Sequence, residues 1–165
     1  MRPSSALAFS FLFLILAPGT VAGLGPWWIN GWRFHDAAPW LRGLGLVLIA
    51  SGLYLLLECF GRFALQGHGT PAPLAPPDSL VVTGPYRRVR NPMYVAVVTL
   101  ILGQAAFFAD LRLLPYAAVV WLAFHLFVLI YEEPTLRRAF PEDYATFTAA
   151  VPRWRPRLRP WRPER

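Results

Sequence analysis

The sequence has little charge and no lysine. Only 15% of its 165 residues are Asp, Glu, Lys or Arg, whereas a typical soluble domain has about 25%. Hydrophobic residues make up 56% of the chain, a share that a polar exterior cannot enclose. The composition therefore excludes an ordinary soluble domain and predicts one domain, residues 1–165, whose surface largely faces lipid.

All 16 basic residues are arginine, and with nine acidic residues they give a net charge of +7. A basic chain can bind nucleic acid, but these arginines cluster at the ends of apolar segments and in the C-terminal tail. That distribution is typical of contact with anionic lipid head groups. We therefore expect membrane lipids rather than nucleic acid as partners. The single cysteine, Cys59, excludes an internal disulfide.

Four apolar segments predict an all-α, polytopic membrane protein with about four transmembrane helices and a C-terminal amphipathic helix. The predicted spans are residues 6–23, 41–60, 92–109 and 113–131. Positions 91–109 and 113–131 are 19 residues each without a charge, close to the roughly 20 residues that cross a bilayer as helix. The first segment could instead be a cleaved signal peptide, because Arg2 precedes it and Thr20-Val21-Ala22, near its end, resembles a small-residue cleavage site.

Local signals set the ends and contacts of these spans. Gly43, Gly45 and Gly52 favour close helix approach in lipid. Asn91-Pro92 is a favoured N-cap and first residue for the third span. The third and fourth spans are joined only by residues 110–112, which predicts a tight antiparallel hairpin.

The segment after the fourth span, residues 134–165, is predicted to lie at the membrane interface. Residues 135–150 have the pattern of an amphipathic helix, with an apolar side made of Leu136, Phe140, Tyr144 and Phe147. The tail 151–165 alternates Arg, Trp and Pro and is predicted to have no regular structure. With four spans, most arginines fall on one side, so the positive-inside rule places both termini and the 61–91 loop in the cytoplasm. We expect a bacterial inner-membrane protein.

Two polar patches then share the cytoplasmic face, residues 78–94 and the pair Glu132-Glu133. They could be ordinary interfacial charge or a functional site. His125 lies seven residues before Glu132, two helical turns, so both side chains would project from one face. An ionisable residue inside a span is a candidate for function, although a single histidine can equally pack against a neighbouring helix.

Two motifs resemble the isoprenylcysteine carboxyl methyltransferase family, whose broader group also contains phospholipid and thiol methyltransferases. Residues 84–94, GPYRRVRNPMY, resemble that family's GxYxxxRHPxY segment. Residues 131–133, YEE, with 140–144, FPEDY, and the Val-Pro pair at 151–152 resemble its EE…FGxxYxxYxxxVP ending. The likeness covers roughly residues 78–154 with its spacing kept.

The resemblance implies a methyltransferase that uses S-adenosyl-L-methionine at the cytoplasmic membrane face and has no metal. Carried over by position, the cofactor would contact Asp78, Ser79, Leu80, Val81, Tyr86, Asn91, Pro92, Met93, Tyr94 and Glu132. Glu132 can pair with the ammonium of the ligand, and the N–H groups that open the third span can hold its carboxylate. Tyr86 and Tyr94 offer aromatic faces to the adenine or the sulfonium.

The sequence departs from the family's pattern at two positions. The family's His before Pro is Asn91 here, and its substrate-orienting Arg corresponds to Val128. Val128, from this correspondence, and His125, as the ionisable residue inside the span, are the candidate substrate positions, and no catalytic base is evident. The acceptor could be an isoprenylcysteine-type carboxylate, a lipid amine or a thiol. The non-enzymatic alternative is a membrane scaffold or accessory subunit that keeps the fold.

Overall fold

The helices follow the apolar segments of the sequence closely. The computed structural model describes residue 12 and residues 14–66 and 80–162, with the side chains of 63–66 left aside. In chain order the elements are a π-helical segment Thr20–Leu24, α1 Gly25–Asn30, α2 Pro39–Gln66, a 3-10 turn Gly84–Arg87, α3 Pro92–Phe108, α4 Leu113–Phe127, a π-helical segment Val128–Glu132, α5 Glu133–Ala139 and α6 Pro141–Ala150. Within the described residues there is no β-strand, so the predicted all-α class is confirmed.

Two of these helices are long and apolar enough to cross a bilayer. They are Pro39–Arg62 and the continuous helix Leu113–Ala139, with mean hydropathies of 2.0 and 2.2. Only 28% and 22% of their most apolar windows are buried, whereas the core helix of a soluble protein would be mostly buried. Twenty-four residues extend about 36 Å as helix, enough for a hydrocarbon core of about 30 Å.

Neither of the other two predicted spans forms a helix of comparable length within the described residues. Helix α3 is apolar but shorter, with 17 residues. The first predicted span, residues 6–23, lies partly outside the described residues, and its described part is helical at 14–16 and 18–24, continuing into α1.

Helices α2 and α3 form the most extensive helix pair, and small residues let their backbones approach. A Cβ atom added at Gly45 would lie 2.7 Å from the carbonyl oxygen of Gly103, and one added at Gly103 would lie 2.8 Å from the amide nitrogen of Ile49. Gly52 meets α3 in the same way, at Leu100. The prediction of glycine-mediated approach holds for Gly45 and Gly52. It is wrong for Gly43, which has nothing within 4 Å of an added Cβ.

The predicted hairpin is present between α3 and α4. Ala109 ends α3 in the left-handed conformation, and its N–H donates to carbonyl groups of the last turn. Asp110 accepts hydrogen bonds from both the backbone and the guanidinium of Arg112. These bonds hold the pKa of the buried Asp110 carboxyl below its ordinary value, with the Arg112 side chain as the main cause.

The C-terminal part differs from the single amphipathic helix predicted for residues 135–150. The fourth helix continues through Val128–Glu132 into α5, and the chain breaks at Phe140, because a residue before proline is disfavoured in the helical region. The predicted apolar side is nevertheless real. Tyr144 and Phe147 are buried with Val151, and Leu136 and Phe140 pack against them. Leu80, Val82 and Trp161 also pack against this apolar side.

The tail has no regular structure over its described residues, as predicted, but it is tied to the turn before α3. The N–H of Arg90 donates to Pro152 O at 2.9 Å, that of Arg157 to Arg88 O at 2.8 Å, and that of Trp161 to Arg87 O at 2.8 Å. Segments distant in sequence are thus joined beside the start of α3.

Candidate active site

The centre of the candidate site is a hydrogen bond between the start of α3 and the end of the fourth helix. The hydroxyl of Tyr94, in the first turn of α3, donates to Glu132 Oε2 at 2.7 Å. The Tyr94 ring stacks on Phe124, with 4.6 Å between ring centroids and 29° between planes. Tyr94 and Glu132 are both half-buried. The structure therefore brings together two residues that the motifs place 38 positions apart.

The π-helical segment Val128–Glu132 sets which way Glu132 points. The N–H of Glu133 donates to Val128 O, an i to i−5 bond that adds one residue to the α-helical turn. Glu132 consequently aligns with Phe124, eight residues earlier, and Tyr94 contacts both. The prediction that His125 and Glu132 share a face assumed an uninterrupted α-helix, and the π-helical segment between them removes that assumption.

His125 belongs to an aromatic cluster formed with the tail. The indole N–H of Trp154 donates to His125 Nδ1 at 3.0 Å. Trp121 stacks on the imidazole ring, with centroids 5.2 Å apart and planes 9° apart. The Trp154 ring also lies 6.5 Å from Tyr94. His125 is thus linked to the Tyr94–Glu132 pair through Trp154, a residue of the tail that no motif in the sequence indicates.

The second glutamate of the pair has a different environment. Glu133 is buried, and its Oε1 accepts hydrogen bonds from Arg90 Nη1 at 3.0 Å and from Arg153 Nε at 2.6 Å. Its Oε2 accepts a bond from Arg153 Nη2 at 3.0 Å. A buried carboxylate needs such partners. Glu133 therefore fastens the tail and the segment before α3 to the fourth helix, a role that the sequence analysis did not assign.

The backbone N–H groups at the start of α3 receive no capping hydrogen bond from the Asn91 side chain. Asn91 occupies the N-cap position, as predicted, but its side chain makes no cap hydrogen bond. Its Nδ2 donates instead to Arg153 O at 3.2 Å. Pro92 follows at the first helical position, where it has no N–H to satisfy. Pro92 and Met93 are buried, whereas Tyr94 is half-buried, so Tyr94 has the most exposed surface of these three predicted cofactor residues.

The remaining predicted cofactor residues are placed as follows. Tyr86 is buried and hydrogen-bonded with the Cys59 thiol, and burial raises the pKa of its phenol well above the ordinary value. Val81 is buried in the same core, whereas Leu80 packs against Tyr144 and its neighbours. Asp78 and Ser79 lie outside the described residues.

Val128, the candidate substrate position, is 1% exposed. Its side chain packs inside the protein and presents almost no surface to a ligand. His125, one turn earlier, is half-buried and therefore remains accessible.

Comparison with known families identifies the family of the chain. The family model described as phospholipid methyltransferase matches residues 40–143. The match begins at the start of α2 and ends within α6, so it includes Tyr94 and Glu132 and stops before Trp154. A search of curated proteins finds no match. Because the match spans more than half of the chain, the protein belongs to the phospholipid methyltransferase family, a member of the isoprenylcysteine carboxyl methyltransferase-like group.

Proposed function

We propose that this protein is an S-adenosyl-L-methionine-dependent methyltransferase that acts on a lipophilic acceptor at the cytoplasmic face of the membrane. In this proposal the chain crosses the membrane four times, and both termini and the site are cytoplasmic. The observation that carries the proposal is the Tyr94–Glu132 pair beside the uncapped start of α3. The family gives methyl transfer as the class of reaction.

The residues of the site fit the charged groups of the cofactor. Tyr94 engages one oxygen of Glu132, and a carboxylate has further acceptor positions, so Glu132 can also accept the ligand's ammonium. A hydrogen bond between ionised groups is about twice as strong as a neutral one. The ligand's carboxylate suits the N–H groups at the start of α3, where the helix dipole favours negative charge.

The protein's own contribution to the chemistry would be alignment. S-adenosyl-L-methionine supplies an already activated methyl group. The chain therefore has to hold donor and acceptor in line and exclude water. Tyr94 fixes the orientation of Glu132, and the stacked Phe124 fixes Tyr94. An acceptor that arrives as a thiolate or a free amine needs no base from the protein.

An apolar groove supports a lipophilic acceptor. It has a volume of about 460 Å³ and lies between the N-terminal helical segment, α2 and Leu100 of α3. Leu53, Leu56 and Leu57 form its α2 side. Cys59, whose thiol is hydrogen-bonded with Tyr86, follows Leu57 by two residues. An apolar chain in this groove would thus lie close to the segment that leads into the candidate site.

Isothermal titration with S-adenosyl-L-homocysteine in detergent tests the cofactor assignment. We expect wild-type protein to bind and Glu132→Gln to bind about 10-fold to 150-fold more weakly, since a hydrogen bond to a charged group contributes about 1.5–3 kcal/mol. Glu142→Gln is the matched control, because Glu142 is exposed on α6, and it should bind like wild type. Absence of binding to wild type, or equal affinity of Glu132→Gln, refutes the proposal.

Methyl transfer itself is tested with membranes that contain the protein and methyl-labelled S-adenosyl-L-methionine. We expect label in an organic-soluble product, and its identification names the acceptor. The scaffold alternative predicts no label above that of membranes lacking the protein.

A further inference from the structure

The hydrogen bond between Trp154 and His125 fixes the tautomer of the imidazole. An indole nitrogen is only a donor, and a neutral imidazole has one donor and one acceptor nitrogen. Because Trp154 Nε1 donates to His125 Nδ1 at 3.0 Å, Nδ1 carries the lone pair and Nε2 carries the proton. His125 therefore presents a hydrogen-bond donor at Nε2.

This Nε2–H donor is unused and accessible. The contacts of the described residues give His125 no hydrogen bond other than that with Trp154. The buried side-chain nitrogens that lack a partner in the described part of the chain are on Asn30, Arg42 and Arg90. His125 is half-buried, and its Nε2 is not among these fully buried atoms, so Nε2 keeps some exposed surface.

The position of His125 suits a group that contacts the methyl acceptor. It lies seven residues before Glu132, about 10 Å along the helix, towards the apolar interior of the predicted span. Val128, one turn later, is apolar and 1% exposed, so it cannot bind a polar group of the acceptor. His125 is therefore the polar one of the two candidate substrate positions. The rings of Trp121 and Trp154 both contact the imidazole, so its orientation is set by packing as well as by the hydrogen bond.

We propose that His125 Nε2–H binds an oxygen of the methyl acceptor and that Trp154 is the positioning residue that keeps His125 in this donor form. The inference rests on the proposed function and deepens it by naming a substrate class. The acceptor is an amphiphile whose polar end carries a carbonyl, carboxylate or phosphate oxygen. A polar end that has only N–H donors cannot accept a hydrogen bond from His125 Nε2–H.

Nitrogen-15 NMR of histidine-labelled protein in detergent tests the tautomer directly. The chain has three histidines, and the His125→Gln variant identifies the signals of His125. We expect an unprotonated Nδ1 and a protonated Nε2 in the wild type and in the control Trp121→Phe, which keeps an aromatic neighbour. Trp154→Phe should shift the signals towards a mixture of tautomers. A protonated Nδ1 in the wild type, or unchanged signals in Trp154→Phe, overturns the inference.

Binding of two probes with the same tail tests the contact. Dodecyl phosphate offers acceptor oxygens, and dodecylamine offers none when protonated. We expect His125→Phe to weaken dodecyl phosphate binding about 10-fold or more, whereas His125→Gln, which keeps an N–H donor, should retain most of it. Dodecylamine binding should be the same in all three proteins. Equal dodecyl phosphate affinity in His125→Phe and wild type, or equal losses for both probes, contradicts the inference.

The same samples separate this inference from the proposed function. S-adenosyl-L-homocysteine should bind wild type and His125→Phe with equal affinity, because His125 is placed at the acceptor and not at the cofactor. If the wild type binds no S-adenosyl-L-homocysteine, the proposed function fails. If it binds and the probes do not distinguish His125→Phe from wild type, only the assignment of His125 fails.

Discussion

The close contact between α2 and α3 predicts opposite effects for alanine at two glycines of the same helix. A Cβ at Gly45 would lie 2.5 Å from the amide nitrogen of Phe107 and 2.7 Å from both its Cα and the carbonyl oxygen of Gly103. All three are backbone atoms, so no rotamer change can relieve the contact and the helices must separate. Gly43 has nothing within 4 Å of an added Cβ.

The magnitude follows from two contributions. Alanine is more favourable than glycine inside a helix by about 1 kcal/mol, and this gain applies to both variants. Overpacking costs about 1–3 kcal/mol and applies only to Gly45→Ala. The difference between the two variants therefore isolates the steric cost. For a chain of this length about 1 kcal/mol corresponds to a change of about 2–4 °C in Tm, so Gly45→Ala should melt about 2–12 °C below Gly43→Ala.

The assay is thermal unfolding in detergent, followed by circular dichroism for wild type and both variants. Gly43→Ala should melt at or slightly above the wild-type temperature. Equal melting temperatures for the two variants, or a higher one for Gly45→Ala, would refute the helix contact on which the positions of Cys59 and Tyr86 depend.

Two further predictions concern charged groups. Glu133→Gln should lower the free energy of unfolding by about 1.5–3 kcal/mol, because it weakens the bonds to Arg90 and Arg153; urea unfolding that matches the wild type contradicts this. The pKa of Asp110 is lowered in the folded state from an ordinary value of 3.8, so its contribution to stability is complete above that pH and is lost as the pH falls through the lowered pKa. The Tm of the wild type should accordingly drop more steeply in acid than that of Asp110→Asn, and parallel curves would exclude the effect.

The helices at 41–60, 92–109 and 113–131 could be predicted because an apolar run of fixed length without charge has few alternatives to a helix in lipid. The start of α3 was also evident, since Asn91-Pro92 carries its own helix-start signal. The π-helical segment Val128–Glu132 could not be predicted in this way. Its extra residue changes which side chains face the site. An apolar sequence is compatible with both an α-helical and a π-helical turn, so it does not indicate which one forms.

Only the residues of the candidate site that belong to local sequence motifs could be predicted. Tyr94 and Glu132 came from two motifs, and the structure joins them by a hydrogen bond. Trp154 and Arg153 belong to a tail whose alternating Arg, Trp and Pro indicated only a membrane surface. Their contacts with His125 and Glu133 are 29 and 20 residues away in sequence, and one sequence carries no pairing signal for them.

Two adjacent glutamates, Glu132 and Glu133, have different partners, and this difference bears on the proposed cofactor site. Neighbouring residues on a helix point in different directions, and here they meet different partners. Glu133 faces two arginines that neutralise it and bind the tail in place. Glu132 meets only the neutral hydroxyl of Tyr94 in the described contacts, which orients the carboxylate without cancelling its charge. Arg90 and Arg153 are thus held by Glu133, and in the proposed function Glu132 is left to receive a cation such as the ammonium of the cofactor.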